Sequence, residues 1–436
     1  VFEEGLRIPI MKLFEAGEPN RVLMQIVRAN VRQPDEVIGD FYAQTACNET
    51  GGRALLEMMD EFELESIDSV ADEIIHRSEA AVRAEIRKLP NGEWTNETWS
   101  DGFEEPIVVR CTVKIADEDI FIDFTGSSAQ STRGINVVLN YTHAYASFAI
   151  KAAVCPDVPH NDGSFRPVHV SAPAGSILNA LDPAPVASRQ VIGHFIPSAI
   201  FAALSGAMPD RLMAPGADPI WLSVWRGQNP PFTLTVFQVG GTGARPAKDG
   251  LSAVGFPSGV AGVPAEVIES LSPVLMKRRE LRPDSGGPGE WRGGLGQLTE
   301  FTRRGAGRWS VSSIADRTVY AAPGLHGGQS GATGEVTLDD GTRLNAKALR
   351  DLKERDVVHV NLPGGGGYGD PFARDPEKVR WDVIEGYVTP EEAEKRYGVA
   401  VRYSGNPDDL VKLAENWLID WNRTAELRQI EQSAKN

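Results

Sequence analysis

The sequence predicts an α+β fold, in which an N-terminal helical region precedes a mixed, largely antiparallel β-rich region with interspersed helices. Between residues 20 and 89, apolar residues recur every three or four positions, which is the period of amphipathic helices. From Glu93 the period changes to two, as in half-buried strands. Later, short apolar runs alternate with glycine-rich connections. Helices followed by strands are typical of the α+β class.

Two helices are expected before residue 63. Asn20 is a candidate N-cap for the first helix, and Pro34 is expected to end it. Its apolar face consists of Leu23, Ile26, Val27 and Val31. The second helix is expected from about Val37 to Phe62, with Gly51-Gly52 as its weak point because glycine disfavours helix interiors.

A third helix is expected to begin at Ser69, three residues before Asp72, which is the spacing of a capping box. Its predicted buried stripe consists of Val70, Ile74, Val82 and Ile86. Two pairs at i,i+4 spacing, Glu73–Arg77 and Glu79–Arg83, add a few tenths of a kcal/mol each. These helices are interpreted as scaffold.

The remaining elements follow from local patterns. A hairpin is expected over residues 107–124, and Cys111 on its apolar face is expected to be a small core residue. Helices are expected over 141–154 and 190–208, with a kink at Pro197, and a short one after its N-cap Thr389, closed by Gly398. Further strands are expected at 168–171, 233–239, 298–302, 309–313, 335–338 and 357–362.

The charge balance argues against two classes of partner. The chain has 44 Lys and Arg against 60 Asp and Glu, a formal net charge of −16. Such a chain is repelled by the phosphates of nucleic acids and by anionic membrane surfaces. No apolar run reaches the ~18 residues of a membrane span. We therefore expect neither nucleic acid nor a membrane as a partner, and a cytoplasmic protein.

Cysteine and histidine spacing predicts no metal ligands in this sequence. The three cysteines are far apart, which argues against a disulfide framework or a zinc–thiolate site. None of the seven histidines is spaced as a metal-binding pair on one helix.

Common nucleotide and hydrolase motifs are absent, with one partial exception. The sequence has no P-loop, no GxSxG and no HExxH. A GxGxxG pattern occurs at Gly364, Gly366 and Gly369, but Asp370-Pro371 follows it where a dinucleotide site needs a helix N-terminus. We therefore expect a tight loop with positive φ angles.

Two glycine-rich stretches, residues 240–250 and 280–294, combine arginine with aspartate. Glycines let a backbone approach a ligand or a partner closely, but an Arg–Asp pair is also a common structural clamp, so both interpretations stay open. His194 lies near a predicted helix start, where a histidine can do acid–base work.

Several motifs occur together in a specific order. They are Glu4-Gly5-Leu6-Arg7-Ile8-Pro9, Arg133-Gly134 with Asn136, residues 241–250, Leu281-Arg282-Pro283-Asp284-Ser285-Gly286-Gly287, Trp291-Arg292-Gly293-Gly294, and Pro363 through Pro371. Together they resemble the hydantoinase B/oxoprolinase family, from Val1 to about Phe372. The tail after Phe372 is less diagnostic.

The resemblance implies a B-type subunit of an ATP-dependent cyclic-amide hydrolase, such as a hydantoinase, N-methylhydantoinase, 5-oxoprolinase or caprolactamase. A hydantoinase A-type partner binds ATP with Mg²⁺ and phosphorylates the substrate oxygen, and the B-type chain completes ring opening. The implied assembly is a hetero-oligomer of α2β2 type. Two alternatives stay open: a subunit of an acetone- or acetophenone-type carboxylase, and a non-catalytic assembly subunit.

The resemblance also implies a divalent metal, Zn or Mn, whose ligands are not in this chain, so no metal ligand is assigned. Positive side chains suit a phosphorylated or carboxylated intermediate. The candidate catalytic residues are Arg245, Asp249, Asp284 and His194. The candidate substrate-binding residues are Lys248, Arg282, Arg292, Arg133 and Asn136.

Three regions are expected along the chain. Residues 1–92 form a helical segment that continues a domain whose N-terminal part is absent, an expectation based on the start at Val1 without a methionine. Residues 93–372 form the mixed α+β core, and residues 373–436 form a C-terminal helical tail.

Overall fold

The computed structural model describes residues 6, 8–31, 33–406, 408 and 410–435. Of the first motif above, Glu4, Gly5 and Arg7 lie outside the described residues. The expected α+β class is confirmed: helices come first, and mixed small sheets with interspersed helices follow. The domain boundaries stay a prediction.

The N-terminal region consists of a two-stranded ribbon and three helices. Their bounds are β1 Phe14–Glu15, β2 Glu18–Pro19, α1 Arg21–Asn30, α2 Pro34–Glu61 and α3 Asp68–Ile86. The Asn20 side chain accepts a hydrogen bond from the Leu23 N–H at 3.1 Å, which confirms the predicted cap. Pro34 does not end α1, since α1 already stops at Asn30; Pro34 is the first residue of α2, where its missing N–H is no loss.

Two details of the helix predictions were wrong. Helix α2 runs unbroken through Gly51-Gly52, and their role as its weak point stays a prediction. Helix α3 begins at Asp68, and no side chain caps it, so there is no capping box at Ser69. Only the C-terminal half of the expected α3 stripe is buried, because Val70 and Ile74 are 42% and 50% exposed, whereas Val82 and Ile86 are fully covered.

The first sheet has the order β3-β4-β5-β6, with β3 Gly92–Ser100, β4 Ile107–Ala116, β5 Asp119–Asp123 and β6 Val168–Ser171. The first two pairings are antiparallel, and β5 pairs with β6 in parallel. Alternate residues of β4 are buried, Cys111 among them, as the sequence period predicts. Three helices contribute to the core of this sheet: α4 Leu139–Val154, α6 Gln190–Gly193 and α7 Phe195–Leu204. The short α5, Asp162–Phe165, packs against α3.

The predicted helix over 190–208 is broken, but not at Pro197. The break lies at His194, between α6 and α7. Pro197 is the third residue of α7, within the first turn, where backbone N–H groups have no partner inside the helix and proline removes no bond.

Two four-stranded antiparallel sheets form a second core. Their strand orders are β13-β11-β7-β8 and β12-β14-β10-β9. The bounds are β7 Trp221–Gly227, β8 Phe232–Gln238, α8 Ala265–Leu271, β9 Val274–Leu281, β10 Gln297–Arg303, β11 Trp309–Ile314, β12 Glu335–Leu338, β13 Leu349–Leu352 and β14 Val358–Asn361. Strands β7, β9 and β13 were not predicted. Trp225 of β7 stacks on Trp309 of β11 in the same sheet and packs against Phe301 of β10 in the other sheet, so this contact joins the two sheets.

The C-terminal region has its own small apolar cluster. It contains a 3₁₀ turn at Pro371–Ala373, α9 Pro376–Ile384, α10 Pro390–Tyr397, β15 Val401–Tyr403, a 3₁₀ turn at Ala414–Asn416, β16 Trp417–Ile419 and α11 Trp421–Lys435. The cap at Thr389 and the closure of α10 by Gly398, at φ +62°, are confirmed.

Across the described part of the chain, no helix combines the length and apolarity that crossing a membrane requires.

Candidate functional site

Four loops meet between the second core and the C-terminal region. We call them the glycine loops: residues 240–250, 282–296, 322–331 and 362–369. Their backbones hydrogen-bond directly to one another. The Gly365 N–H donates to the Gly294 carbonyl at 3.0 Å, the Gly294 N–H to Thr242 at 2.8 Å, and the Gly287 N–H to Gly365 at 2.8 Å. The two glycine-rich stretches of the sequence are therefore one structure.

Backbone proximity is the reason for most of these glycines. A Cβ on Gly364 would lie 1.8 Å from the Ser285 carbonyl oxygen, and one on Gly365 would lie 1.9 Å from that of Thr242. In the GxGxxG pattern only Gly369 has a positive φ, +73°, so the expectation of a loop built on positive φ angles was wrong for Gly364 and Gly366. These positions exclude a side chain because the backbone of a neighbouring glycine loop occupies the space that a Cβ would need.

An ion-pair cluster, Asp249–Arg292–Arg374–Asp382, links two of the glycine loops to the C-terminal region, and all its members except the half-buried Asp249 are buried. The two terminal nitrogens of Arg374 lie 2.8 Å from the two carboxylate oxygens of Asp249, and one of them also lies 2.8 Å from Asp382 Oδ2. The Nε of Arg292 lies 3.3 Å from Asp382 Oδ1, and the Arg292 backbone N–H donates to Asp249 at 2.7 Å. The cluster therefore ties two glycine loops to α9.

Electrostatics keep Asp249 ionised. Burial acts to raise its pKa, but the hydrogen bonds and charge of Arg374, with the charge and N–H of Arg292, outweigh burial and lower the pKa of Asp249. Burial also acts against the charge of Arg374, yet its carboxylate partners raise its pKa. At Asp382 burial dominates and raises the pKa. Because Asp249 accepts three hydrogen bonds, the cluster anchors loops and is poorly suited to proton transfer.

Two further predicted residues hold the same loops. Asp284 adopts φ +58°; its carboxylate accepts the Thr389 N–H at 2.8 Å, and its own N–H donates to Tyr387. The guanidinium of Arg282 donates to the carbonyls of Thr333 at 2.7 Å and Leu362 at 3.2 Å, and burial lowers its pKa.

The turn from Arg245 to Lys248 differs from the ion-pair cluster, because its positive side chains have no carboxylate partner among the described residues. The two residues exchange backbone hydrogen bonds at 2.9 and 3.1 Å, which closes a tight turn. One terminal nitrogen of Arg245 reaches the Asp249 carbonyl at 3.4 Å, while its buried Nε has no hydrogen-bond partner. Lys248 is exposed, and among the described residues it has no ion-pair partner. This turn is the part of the site with spare positive charge.

The remaining predicted residues lie elsewhere. The buried Asn136 amide donates to the carbonyls of Arg133 at 2.9 Å and Pro185 at 2.8 Å, so it holds its own loop. The exposed Arg133 pairs with Glu104.

His194 is 2% exposed, and its ring stacks on that of Tyr145. Burial outweighs the hydrogen bond that the ring donates to the Asp218 backbone carbonyl and lowers the pKa of His194 to about 4, so its imidazole is neutral. The structure does not bring Asn136, Arg133 and His194 to the glycine loops, and their roles stay predictions.

Sequence reasoning missed Arg374 and Asp382, because both follow the last recognised motif and their spacing of eight carries no signal. It also missed a second buried polar group between the two cores. There Arg317 lies 2.5 Å from Asp218, and Lys347 lies 2.9 Å from Asp316, which also accepts from Ser100 at 2.6 Å. These partners are 99, 31 and 216 positions apart along the chain, so no local pattern could reveal them.

The described residues contain no group of three or more His, Cys, Asp or Glu side chains arranged to hold a metal ion. The side chains here therefore do not fit the implied metal, and we assign it no ligand and derive no step through it.

The residues that match a known family cover the same part of the chain as the motifs. Residues 1–371 match the family described as Hydantoinase B/oxoprolinase. The chain is 31% identical to the B-type subunit of a "Putative D-/L-hydantoinase" of Pseudomonas sp. (strain NS671), covering 98% of this chain and 74% of that protein. That name describes one component of a larger enzyme.

Two solved structures share the fold. The ATP-dependent caprolactamase from Pseudomonas jessenii superposes with a TM-score of 0.80 at 25% identity, covering 98% of this chain and 75% of that one. Nucleotide-free acetone carboxylase superposes with a TM-score of 0.86 at 19% identity, covering 100% of this chain but 65% of that one. At 19% identity the second likeness concerns the fold alone.

Proposed function

Because the chain belongs to the hydantoinase B/oxoprolinase family, we propose that it is the B-type subunit of an ATP-dependent cyclic-amide hydrolase. In this proposal an A-type partner binds ATP and phosphorylates the amide oxygen, and the present chain helps to complete ring opening. A lactam amide is a poor electrophile, and phosphorylation of its oxygen supplies the leaving group that it lacks.

The observation that carries the proposal is the family match over residues 1–371. Sequence identity then favours amide chemistry over ketone carboxylation, because over the structural superpositions the caprolactamase is 25% identical and acetone carboxylase 19%. The fold does not discriminate, since both solved structures superpose over nearly the whole chain.

The turn from Arg245 to Lys248 is the best place in this chain for a phosphorylated intermediate. Arginine and lysine bind phosphate through charge-assisted hydrogen bonds. The guanidinium and ammonium groups here are not neutralised by a nearby carboxylate, in contrast to Arg292 and Arg374. The role of Asp249, Arg292 and Asp284 is then to hold the loop carrying this turn in one position, since loosely held binding groups lose effectiveness.

The test is an assay of the chain co-purified with its ATP-binding partner. Hydantoin, 5-oxoproline and caprolactam are supplied separately, and ADP release and ring-opened product are measured together. Stoichiometric release of both supports the proposal. Carboxylated product from a ketone and bicarbonate assigns the chain to the carboxylase branch instead. Ring opening without ATP consumption refutes the scheme.

Variants in the same complex test the site. Arg245→Ala and Lys248→Ala are expected to lower turnover at least tenfold with unchanged folding, whereas Lys395→Ala, an exposed lysine paired with Glu392, is the control. Unchanged turnover in both variants removes them from the site. If the metal and every sensitive residue map to other chains, the non-catalytic assembly role is correct.

A further inference from the structure

Helix α2 is far longer than the structure that supports it. It has 28 residues, whereas its neighbour α1 has 10, so at 1.5 Å per residue they span about 42 and 15 Å. Only Ile38 of α2 is buried, in a small cluster with Leu23 and Val27 of α1. Beyond this cluster the helix projects from the rest of the described chain.

The projecting part of α2 nevertheless carries a seam of positions on one side of the helix, which are polar or small in its first half and apolar in its second half. After Phe41, positions alternately four and three residues apart lie on one side of the helix, and they are Thr45, Asn48, Gly52, Leu55, Met59 and Phe62. This alternation is the heptad spacing of a helix that packs along another helix. The seam starts where α2 contacts α1 and continues past the end of α1, where Leu55 is 40% and Phe62 65% exposed.

Such a helix is not expected to be stable without a partner. Most of the stability of a helix in a protein comes from packing of its apolar face, and two consecutive glycines in the middle disfavour this one by about 1 kcal/mol each. Contiguous exposed apolar residues on a soluble protein usually mark an interaction site. Length, glycines and exposed seam therefore indicate that α2 is covered in the working assembly.

The charge of α2 indicates what covers it. The helix contains seven Asp and Glu residues against one arginine, Arg53. A second copy of α2 would bring like charges together, so self-pairing is disfavoured. Small residues in the middle of the seam, Thr45 and Gly52, leave room for close approach of another backbone.

We propose that α2 is the docking helix for the partner subunit, which contributes a helix with an apolar seam flanked by Lys and Arg. The identity of the partner as the ATP-binding component rests on the proposed function; the docking surface itself rests on α2 alone.

The first test is zero-length carbodiimide cross-linking of the intact assembly, which joins carboxylates to lysines in direct contact. We expect Glu49, Glu57 or Asp60 to be linked to lysines within one helical segment of the partner. Mixing isotope-labelled with unlabelled chain distinguishes links between two copies of this chain from links within one copy. Links only to a second copy, or only within the chain itself, overturn the proposal.

Variants along the seam provide the second test. Leu55→Asp and Phe62→Asp place a charge inside the proposed contact and are expected to raise the dissociation constant of the assembly at least tenfold. Ala54→Asp adds the same charge at an exposed position off the seam and is expected to change it less than twofold. Equal effects of the three variants contradict the proposal.

Charge reversal separates docking from activity. Glu57→Lys with Asp60→Lys is expected to weaken assembly at least tenfold, and added salt is expected to weaken the wild-type assembly. Cyclic-amide hydrolysis can fail while the cross-links remain, in which case only the proposed function is wrong. An active complex without cross-links at α2 overturns the docking surface alone.

Discussion

Arg374 and Asp249, 125 positions apart, form a two-pronged ion pair in which both nitrogen–oxygen distances are 2.8 Å. Arg374 is 1% exposed. This pair joins a glycine loop to the C-terminal region, so the region after residue 372 is structurally part of the site, although its sequence is less diagnostic.

Removing Arg374 is expected to be strongly destabilising. Arg374→Ala removes the two-pronged partner of the half-buried Asp249 and one of the two counter-charges of the buried Asp382, and breaking a buried pair in this way costs about 3–5 kcal/mol. Urea unfolding measures the change. Arg423→Ala breaks exposed pairs with Glu394 and Glu426 and serves as the control, with little effect expected. Equal effects of the two variants would show that the buried cluster is not an anchor.

Stability is expected to fall in acid because of His194. Its pKa is about 4 in the folded chain, below its ordinary value of 6.5, so only the unfolded chain takes up a proton between these values. The contribution of His194 to the free energy of unfolding is fully present above pH 6.5, falls as the pH decreases towards 4, and then levels off. The loss is on the order of 3 kcal/mol.

Urea unfolding of wild type and His194→Gln from pH 7 to 4 measures this effect. The difference between the two proteins should change with pH in that window. A difference independent of pH would mean that the buried imidazole is not held neutral.

Two glycine substitutions are expected to have opposite effects. Gly364→Ala places a Cβ 1.8 Å from a backbone oxygen and forces the glycine loops apart, so we expect a loss of several kcal/mol. Gly51→Ala lies in α2 with no heavy atom within 4 Å of the added Cβ, and it should favour the helix by about 1 kcal/mol. Thermal unfolding followed by circular dichroism compares the two; a harmless Gly364→Ala would contradict the packing described here.

Asp284 is expected to tolerate asparagine but not valine. Asparagine can adopt φ +58° and keeps an oxygen to accept the Thr389 N–H, whereas valine loses the acceptor and is strained at positive φ. We expect Asp284→Asn to unfold at nearly the wild-type temperature and Asp284→Val to lose about 2–4 kcal/mol. If Asp284→Asn also retains turnover in the complex, Asp284 is a positioning residue.

The sequence by itself determined many of the local elements, though not β7, β9 and β13, and it determined the family. The cap at Asn20, the alternation through Cys111 and the closure of α10 at Gly398 depend on neighbours within a few residues, and period and capping report such contacts directly. The ordered motifs were enough to identify the family before any contact was known.

Only the tertiary structure decided which charged residues meet. Arg374 with Asp249 and Arg317 with Asp218 are separated by 125 and 99 positions, and no periodicity links them. The fold likewise placed His194 and Asn136 outside the glycine loops, and it left the side chains of Arg245 and Lys248 without a carboxylate partner among the described residues. Side-chain chemistry can be read from the sequence, but proximity, burial and the low dielectric that follows from them arise only when the chain is folded.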